Sequence, residues 1–535
     1  MNYTVLIIII LIYLTVIAYL GYRGYTASKS SSDYMLAGRN THPFIMAMSY
    51  GATFISTSAI VGFGGVASLY GMSLMWLCFA NIFVGIFIAF VFYGKRTRLM
   101  GLNLDAHTFP ELLGRRFDSR FIQLFAGLMI FIFMPIYAAA VLIGAARIIE
   151  SFLGVPYELS VLVFSVLVGG YVIMGGLRSV MYSDAIQGSL IFIGMVTLLI
   201  YTYTKLGGVF EAHSSLTQLA NAIPENIKNS GVFSWTSSPQ TGSSLWWVIY
   251  SSLVLGVGLG VLSQPQLAVR FMTVKSNKEL NRAVAIGALF IFATVGTTYL
   301  VGPLSNVFFF EKYGHIAFEA AGKNLDRVIP VFIGETMPIW FVYLFMMVIL
   351  SAAMSTLSSQ YHAIGTAISR DIIEYGIFKK KKIKETTIVL LTRCGILVSL
   401  IVTIILSLEL GGGIIARATA IFFGLMASCF LAPYTLLLFW KKITAKGAIS
   451  GILGGFFVSL FCFLFLHGKE AGVFGLCKAL TGSETLLPGV WAVVDPIVFA
   501  LPASVLLTFF VSLFTKVHNE NTVEKAFKGI IQEKY

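Results

Sequence analysis

Charged residues are scarce in this chain. They make up 11% of its 535 residues, whereas about a quarter of an average soluble domain is charged. So few charges cannot cover a water-exposed surface, and 57% of the residues are hydrophobic. The composition therefore excludes an ordinary soluble domain and predicts a protein that is surrounded mostly by lipid.

Signatures of catalysis are also missing. The five cysteines lie mostly inside apolar blocks and have no metal-ligand spacing, so they predict neither a disulfide framework nor a zinc site. The short loops contain no phosphate-binding glycine loop and no Ser-His-Asp arrangement. We therefore expect neither an ATP-driven pump nor an enzyme.

Long apolar blocks fill most of the chain. A helix of about 20 residues crosses a bilayer, and the blocks predict an all-α membrane protein with about thirteen transmembrane helices. The first block lacks the basic start and cleavage site of a signal peptide, so we interpret it as a retained span. The predicted spans cover residues 3–22, 43–69, 72–94, 121–149, 157–175, 181–204, 244–269, 283–310, 329–366, 387–408, 414–439, 447–466 and 492–515.

Basic residues alternate between the loops. The net charge is +13, and roughly 28 of the 37 Lys and Arg fall in segments that share one side of the membrane. The positive-inside rule then predicts a cell (inner) membrane protein with its N-terminus outside and its C-terminus in the cytoplasm. The basic run Lys379 to Lys382 is expected near anionic lipid of the bilayer. Neither a nucleic-acid partner nor an obligatory protein partner is indicated.

The second predicted span is unusually polar. Residues 49–58 (SYGATFISTS) lie in mid-span, and glycines follow at 62, 64 and 65. Such a segment can unwind and turn its carbonyl groups toward a cation. A face of small residues that packs against another helix is the alternative.

A second polar stretch occupies residues 351–362, in the ninth predicted span. Ser351, Ser358 and His362 lie beside one helix face that carries a stripe of small and hydroxyl residues. Several neutral oxygens and little fixed charge suit a hard monovalent cation. The stripe itself consists of Ala352, Ser355, Thr356 and Ser359.

Asp184 lies in the first turn of the sixth predicted span (181–204), on its cytoplasmic side. It is either a solvated residue that the helix dipole favours or an ion ligand that faces the bundle.

Two predicted spans in different halves of the chain are interrupted in a similar way. The broken-looking span 43–69 recurs five spans later at 244–269, where glycines at 256, 258 and 260 precede Ser263-Gln264-Pro265. Weak spans at corresponding positions of two halves indicate an inverted-repeat transporter with a site at the midplane. The predicted organisation is a first span and cytoplasmic loop (1–42), a first repeat unit (43–204), an external loop (205–243), a second repeat unit (244–440), two further spans (441–515) and a cytoplasmic tail (516–535).

Five motifs in order resemble the sodium/solute symporter family, which includes the bacterial sodium/proline, pantothenate, galactose and sialic acid transporters. The resemblance covers roughly residues 3–515. The motifs are residues 33–39 (DYMLAGR), Gly175-Gly176-Leu177 with 183–187 (SDAIQ), Gln264-Pro265 with Arg270-Phe271, 354–358 (MSTLS), and Lys442 followed by 447–455 (GAISGILGG).

The resemblance implies a five-plus-five inverted repeat of the leucine-transporter type and co-transport of sodium. Matched residue by residue, it places a main sodium site at the carbonyls of Ala52, Ile55 and Ala352 and the hydroxyls of Ser355 and Thr356. Some family members hold a second sodium, whose ligands here would be Asp184, Ser355, Ser358 and Ser359.

The family also suggests a solute. This chain has Phe54, Val257 and Val261 where the proline branch has an aspartate and aromatic residues, and its residues 110–113, 147–150 and 445–448 look closer to the pantothenate and monocarboxylate carriers. The implied solute is a monocarboxylate, pantothenate or a similar organic acid. The implied contacts are Phe54, Ser56, Trp76 and Tyr137.

Tyr137 lies where a related sialic acid carrier binds a carboxylate, although an aromatic residue in a helix interface is an equal alternative.

We therefore predict sodium-coupled symport of a small organic solute into the cell by alternating access. A sodium/proline symporter, or one for another amino acid or a sugar, is the alternative within this class. A proton-coupled carrier that uses Asp184 or His362 as a relay and a transporter-derived sensor are the alternatives outside it.

Overall fold

The computed structural model describes residues 3–27, 30–378, 383–410 and 413–530. Within those ranges the chain is helical and has no β-strand, apart from an isolated bridge between Thr41 and Val274. Ten helical segments in the described part are long and apolar enough to cross a membrane, which makes this an all-α membrane protein. The predicted number of thirteen is not confirmed, and the Lys379 to Lys382 run lies outside the described residues.

The helices are labelled in chain order. The ten long apolar segments are α1 (Thr4–Thr26), α3 (Ser58–Asn103), α5 (Arg120–Leu153), α6 (Tyr157–Lys205), α7 (Ser244–Ser263), α9 (Asn277–Tyr313), α11 (Ile339–Ile377), α12 (Glu385–Glu409), α13 (Ile415–Phe439) and α14 (Ala445–Phe465). The shorter helices used below are α2 (Pro43–Phe54), α4 (Phe109–Phe117), α8 (Pro265–Phe271), α10 (Val328–Thr336), α15 (Ile497–Leu513) and α16 (Glu520–Phe527).

Two predicted spans are merged in α6, which is 49 residues long. The predicted gap between them contains Gly176, whose φ of 61° and ψ of −172° interrupt the helix. Residues with a Cβ rarely adopt this conformation, so glycine allows the bend. A Cβ there would also approach the Tyr34 ring to 2.6 Å.

The prediction of one long span over residues 329–366 is wrong. The structure has two helices, α10 and α11, with an extended Met337 (φ −98°, ψ 150°) between them. Pro338 follows as the N-cap of α11. A proline disfavours helical conformation in the residue before it and cannot donate a backbone hydrogen bond. The apolar run continues through this break, which is why hydropathy alone did not reveal it.

Two spans are broken at their predicted weak points. The helix α2 ends at Phe54, and Ile55 is extended (φ −88°, ψ 94°) before helical structure resumes at Ser58. In the second half, α7 ends at Ser263 and α8 begins at Pro265, with Gln264 extended between them (φ −75°, ψ 118°). The breaks leave backbone polar groups outside regular helix in the middle of the bundle.

The helix α6 organises the bundle, because it packs against α1, α2 and α11. The broken end of α2 and the polar stripe of α11 are thereby brought to one place. The last two apolar helices, α14 and α15, pack closely through glycines, and a Cβ at Gly451 would collide with the Thr508 side chain. Small residues commonly allow such close approach in membranes.

A buried ion cluster surrounds α4, and its acidic residue, Glu111, lies outside the long apolar segments. The Glu111 carboxylate lies 2.5 Å from Arg115 and 3.6 Å from Arg370, and it accepts a 2.8 Å hydrogen bond from the His107 backbone N–H. Burial alone would raise the pKa of Glu111. The contact with His107 and the charges of Arg370 and Arg115 outweigh burial and lower the pKa from 4.5 to about 2.

Replacing Glu111 by glutamine should destabilise the protein at neutral pH. Removing one partner of a buried ion cluster costs about 3–5 kcal/mol. Because the folded-state pKa is depressed, the ionised carboxylate stabilises the fold above about pH 4.5, and this contribution is lost as the pH falls toward 2. Thermal unfolding in detergent should therefore show a large difference between Glu111→Gln and wild type at pH 7 and a smaller one at pH 3.5.

The exposed Glu524 provides the control, since Glu524→Gln should leave the unfolding midpoint unchanged at both pH values. An equal midpoint for Glu111→Gln and wild type at pH 7 would contradict the role of the cluster.

Candidate cation and solute sites

The hydroxyls of α11 meet the broken end of α2. The Ser355 hydroxyl donates to the Ala52 carbonyl at 2.9 Å. The Thr356 hydroxyl donates to the carbonyls of Thr53 at 3.1 Å and Ala52 at 3.4 Å. Two helices that are 300 residues apart in sequence thus share a cluster of neutral oxygens.

The structure brings most of the predicted main sodium set together. The carbonyl of Ala352 also lies in the cluster, 3.3 Å from the Ser355 hydroxyl. Ile55 follows α2 directly, and its extended backbone turns its carbonyl away from the helical direction. All five residues are buried. The donor set is carbonyl and hydroxyl oxygen, which suits a hard cation, and its role as a sodium site stays a prediction.

Asp184 lies in the interior of the bundle. Its side chain is fully buried, so the solvated alternative is wrong. Its Oδ2 accepts hydrogen bonds from the Ser49 hydroxyl at 2.7 Å and from Arg270 Nη2 at 2.9 Å. Its Oδ1 is buried and has no partner among the described residues. A carboxylate in this environment needs a cation beside it.

The predicted second sodium set surrounds an arginine. Nη2 of Arg270 donates to the Ser359 hydroxyl at 2.5 Å and to the Thr53 hydroxyl at 2.5 Å, as well as to Asp184. The hydroxyls of Ser358 and Ser359 donate to the Ser355 carbonyl at 3.0 and 2.9 Å. The four predicted ligands are therefore close together, but a guanidinium lies among them.

Arg270 is the residue that the sequence reasoning missed. In the sequence it belongs to a motif, but the predicted span ends at residue 269 and places it in a loop. A signal was available: a single arginine directly after an apolar span and the Gln264-Pro265 break is costly inside a membrane and needs a partner. Asp184 was the unpaired carboxylate that could supply it.

Three of the four predicted solute contacts lie close together around the break. Phe54 is the last residue of α2, and its ring lies next to Gly85. Tyr137 is buried, its hydroxyl interacts with the Ser56 side chain, and its ring stacks on Phe422 with a centroid distance of 5.8 Å. The stacked rings of Tyr137 and Phe422 form an aromatic wall, and the hydroxyls of Tyr137 and Ser56 lie beside it.

Trp76 does not join these residues. Its side chain is 52% exposed, and its ring contacts Phe79 of the same helix. The inward face of this segment is formed instead by Leu77 and Cys78, which are fully buried. The structure therefore does not place Trp76 with the other three residues, and its contact with the solute stays a prediction.

Most of the chain matches one known protein family. The profile described as the sodium:solute symporter family matches residues 34–455, which is most of the chain and includes both helix breaks, Asp184, Arg270 and the stripe of α11. The chain belongs to the sodium:solute symporter family. The predicted family is thereby confirmed, and its members are transporters.

Several symporters of known activity are similar to this family member. The osmoregulated proline transporter OpuE of Bacillus subtilis is 27% identical over 446 residues, covering 83% of this chain and 85% of the relative. The sodium/pantothenate symporter of Haemophilus influenzae is 27% identical over 464 residues, covering 85% and 90%. The sodium/proline symporter of Escherichia coli is 26% identical over 460 residues, covering 85% and 86%.

A solved symporter structure shares the fold. The substrate-bound, outward-open structure of a Na⁺-coupled sialic acid symporter matches with a TM-score of 0.74 at 21% sequence identity, and the match covers 96% of this chain and 99% of that one. This symporter therefore has the five-plus-five inverted-repeat fold of the leucine-transporter type, as predicted. It is a multi-pass membrane protein.

Proposed function

We propose that this protein carries a small solute with a carboxylate group into the cell together with sodium, by alternating access. The observation that carries the proposal is the meeting of the Ser355 and Thr356 hydroxyls with the α2 carbonyls at a helix break. The family supports sodium coupling. Broken helices at the midplane are where transporters of this architecture bind ions and substrates.

Sodium binding would be linked to solute binding through the break itself. The ion would be held by Ala52, Ile55, Ala352, Ser355 and Thr356. Phe54 and Ser56 lie within the same few residues as two of these ligands, so fixing the carbonyl groups also fixes the side chains that face the solute. Each ligand then strengthens binding of the other. A membrane potential adds about 2.3 kcal/mol per charge per 100 mV.

The solute would lie against the aromatic wall with its carboxylate at the hydroxyls of Ser56 and Tyr137. Monocarboxylates and pantothenate are the first candidates from the sequence motifs. Proline is the other candidate. The relatives favour proline as much as pantothenate, because proline and pantothenate symporters match at the same 27% identity. The three kinds of solute share the carboxylate, so the proposal is made for that group.

The proposed orientation follows the basic residues, with the N-terminus outside and the C-terminus in the cytoplasm. The cluster around Glu111 and the helix α8 then lie on the cytoplasmic side. We propose residues 43–204 and 244–440 as the two repeat units, because each opens with a span that is broken, at Ile55 and at Gln264.

Uptake by the purified full chain in proteoliposomes tests the function. Labelled lactate, pantothenate, proline and galactose would be offered under an imposed sodium, proton or potassium gradient. We expect a sodium gradient to drive uptake of at least one of the carboxylates and not of galactose. Uptake driven by protons without sodium would support the proton-coupled alternative and overturn the proposal.

Removing the Tyr137 hydroxyl should weaken solute binding. A hydrogen bond to a charged group contributes about 1.5–3 kcal/mol, so Tyr137→Phe should raise the half-saturating solute concentration by about tenfold or more. The half-saturating sodium concentration at saturating solute should change little. Tyr203→Phe, which removes a hydroxyl bonded to His213, is the matched control and should behave like wild type.

An unchanged half-saturating solute concentration in Tyr137→Phe would place the carboxylate elsewhere.

A further inference from the structure

The helices α1 and α6 touch through small residues near the end of α1. A Cβ built on Gly24 would lie 2.4 Å from the Cβ of Ser179 and 2.7 Å from its Cα. The Ser179 hydroxyl also donates to the Leu20 carbonyl at 3.4 Å. Small residues commonly allow helices to approach this closely in membranes. The longer side chains beside this contact enclose a cavity between the two helices.

Two arginines, one from each helix, line this cavity. Its volume is about 140 Å³. A cavity accepts a water molecule once about 10–15 Å³ is available, so this one has room for a group as large as a phosphate. The lining consists of Leu20, Arg23, Gly24, Arg178, Ser179 and Tyr182.

The described residues do not neutralise these two charges. Within the described ranges, no carboxylate oxygen lies within 4.0 Å of the Arg23 or Arg178 guanidinium, and neither guanidinium forms a hydrogen bond. Arg23 is exposed and Arg178 is half-buried. Because two positive charges that share one cavity repel each other, the cavity favours an anionic ligand.

Tyrosines indicate the depth of this cavity in the bilayer. Tyr22 and Tyr25 of α1 and Tyr182 of the cavity are all exposed, and tyrosine is enriched at the boundary between hydrocarbon and water. The two arginines therefore lie at the depth of lipid headgroups. Nearer the start of α1, the exposed side chains are apolar and include Ile8, Leu11, Ile12 and Val16.

We propose that the cavity between α1 and α6 binds the headgroup of an anionic phospholipid. The guanidinium groups of Arg23 and Arg178 would donate to the phosphate oxygens, since the planar fork of N–H donors matches phosphate geometry. The acyl chains would lie along the exposed apolar side of α1. In the proposed orientation this end of α1 faces the cytoplasm, where basic pockets between transmembrane helices bind such headgroups.

Binding of a labelled lipid tests this assignment. The purified full-length protein, freed of lipid in a non-ionic detergent, would be titrated with tritium-labelled phosphatidylglycerol. The competitors would be phosphatidylcholine with the same acyl chains and glycerol phosphate, which has no chains. We expect saturable binding of phosphatidylglycerol. Neither competitor should displace it at concentrations that saturate the site with phosphatidylglycerol, because the first has no net negative charge and the second cannot contact the apolar side of α1.

Replacing both arginines should weaken this binding. Each basic residue beside anionic lipid contributes about fivefold, so the variant that combines Arg23→Gln and Arg178→Gln should raise the dissociation constant by about 25-fold. Arg282→Gln is the matched control, because Arg282 in α9 is 59% exposed and pairs with Glu279. This control should bind phosphatidylglycerol like wild type.

Equal affinity of the double variant and wild type, or equally tight binding of phosphatidylcholine, would overturn the inference. Displacement by glycerol phosphate as effective as that by the lipid would assign the cavity to a soluble phosphate ester and would also overturn it. The comparison of competitors on wild type gives an answer even if the double variant fails to fold.

Discussion

Replacing Thr356 by alanine should remove most sodium-driven uptake. The Thr356 hydroxyl reaches the carbonyls of both Thr53 and Ala52 and is one of the five proposed ligands of the main site. Losing one such ligand should raise the half-saturating sodium concentration by at least about tenfold, which corresponds to about 1.4 kcal/mol. Initial rates of uptake into proteoliposomes, measured over a range of sodium concentrations, provide the test.

A second buried threonine serves as the control. Thr202 in α6 is also fully buried, but its hydroxyl bonds only to the Leu198 carbonyl of its own helix, at 2.8 Å. Thr202→Ala removes the same atoms and should leave the sodium dependence unchanged. If Thr356→Ala also left it unchanged, the sodium site would not lie between α2 and α11.

Introducing a methyl group at Gly65 should destabilise the helix that follows the break at Ile55. A Cβ at this position would lie 1.9 Å from the Leu325 carbonyl oxygen and 2.7 Å from its carbon. Both are backbone atoms, so no side-chain rotation relieves the collision, and the two segments must separate. Overpacking costs about 1–3 kcal/mol and sometimes more. Thermal unfolding in detergent should show a clearly lower midpoint for Gly65→Ala.

Gly170 in α6 provides the matched substitution. A Cβ there meets no atom within 4 Å, and alanine is favoured over glycine inside a helix by roughly 0.5–1 kcal/mol. Gly170→Ala should therefore be neutral or slightly stabilising. Equal midpoints for Gly65→Ala and wild type would mean that the Leu325 segment gives way easily.

The broken helices could be predicted because their cause is local. The apolar runs are interrupted by hydroxyl and glycine residues around Ile55 and by the Gln264-Pro265 pair. Both interruptions are visible in the sequence. The stripe of α11 was equally visible, because residues at i, i+3, i+4 and i+7 share a face. The break before Pro338 was hidden by the continuous apolar run, although the proline itself marked it.

The partners of the polar groups could not be predicted in the same way. Asp184 and Arg270 are separated by 86 residues, and only the packing of α6, α2 and α8 brings them together. The same limit applies to Trp76, since the sequence of an apolar helix does not reveal which of its side chains are buried against other helices. Sequence periodicity identifies helices, whereas contacts between side chains of different helices depend on how the helices pack.

The hydrogen bonds between α11 and α2 also bear on the return step of the transport cycle. A symporter must reorient without cargo after each delivery, and buried carbonyls without partners would make that step slow. Here the Ser355 and Thr356 hydroxyls can satisfy the carbonyls of Ala52 and Thr53 themselves. When sodium leaves, these carbonyls would then be hydrogen-bonded within the protein. The empty carrier could therefore reorient before the next sodium ion binds.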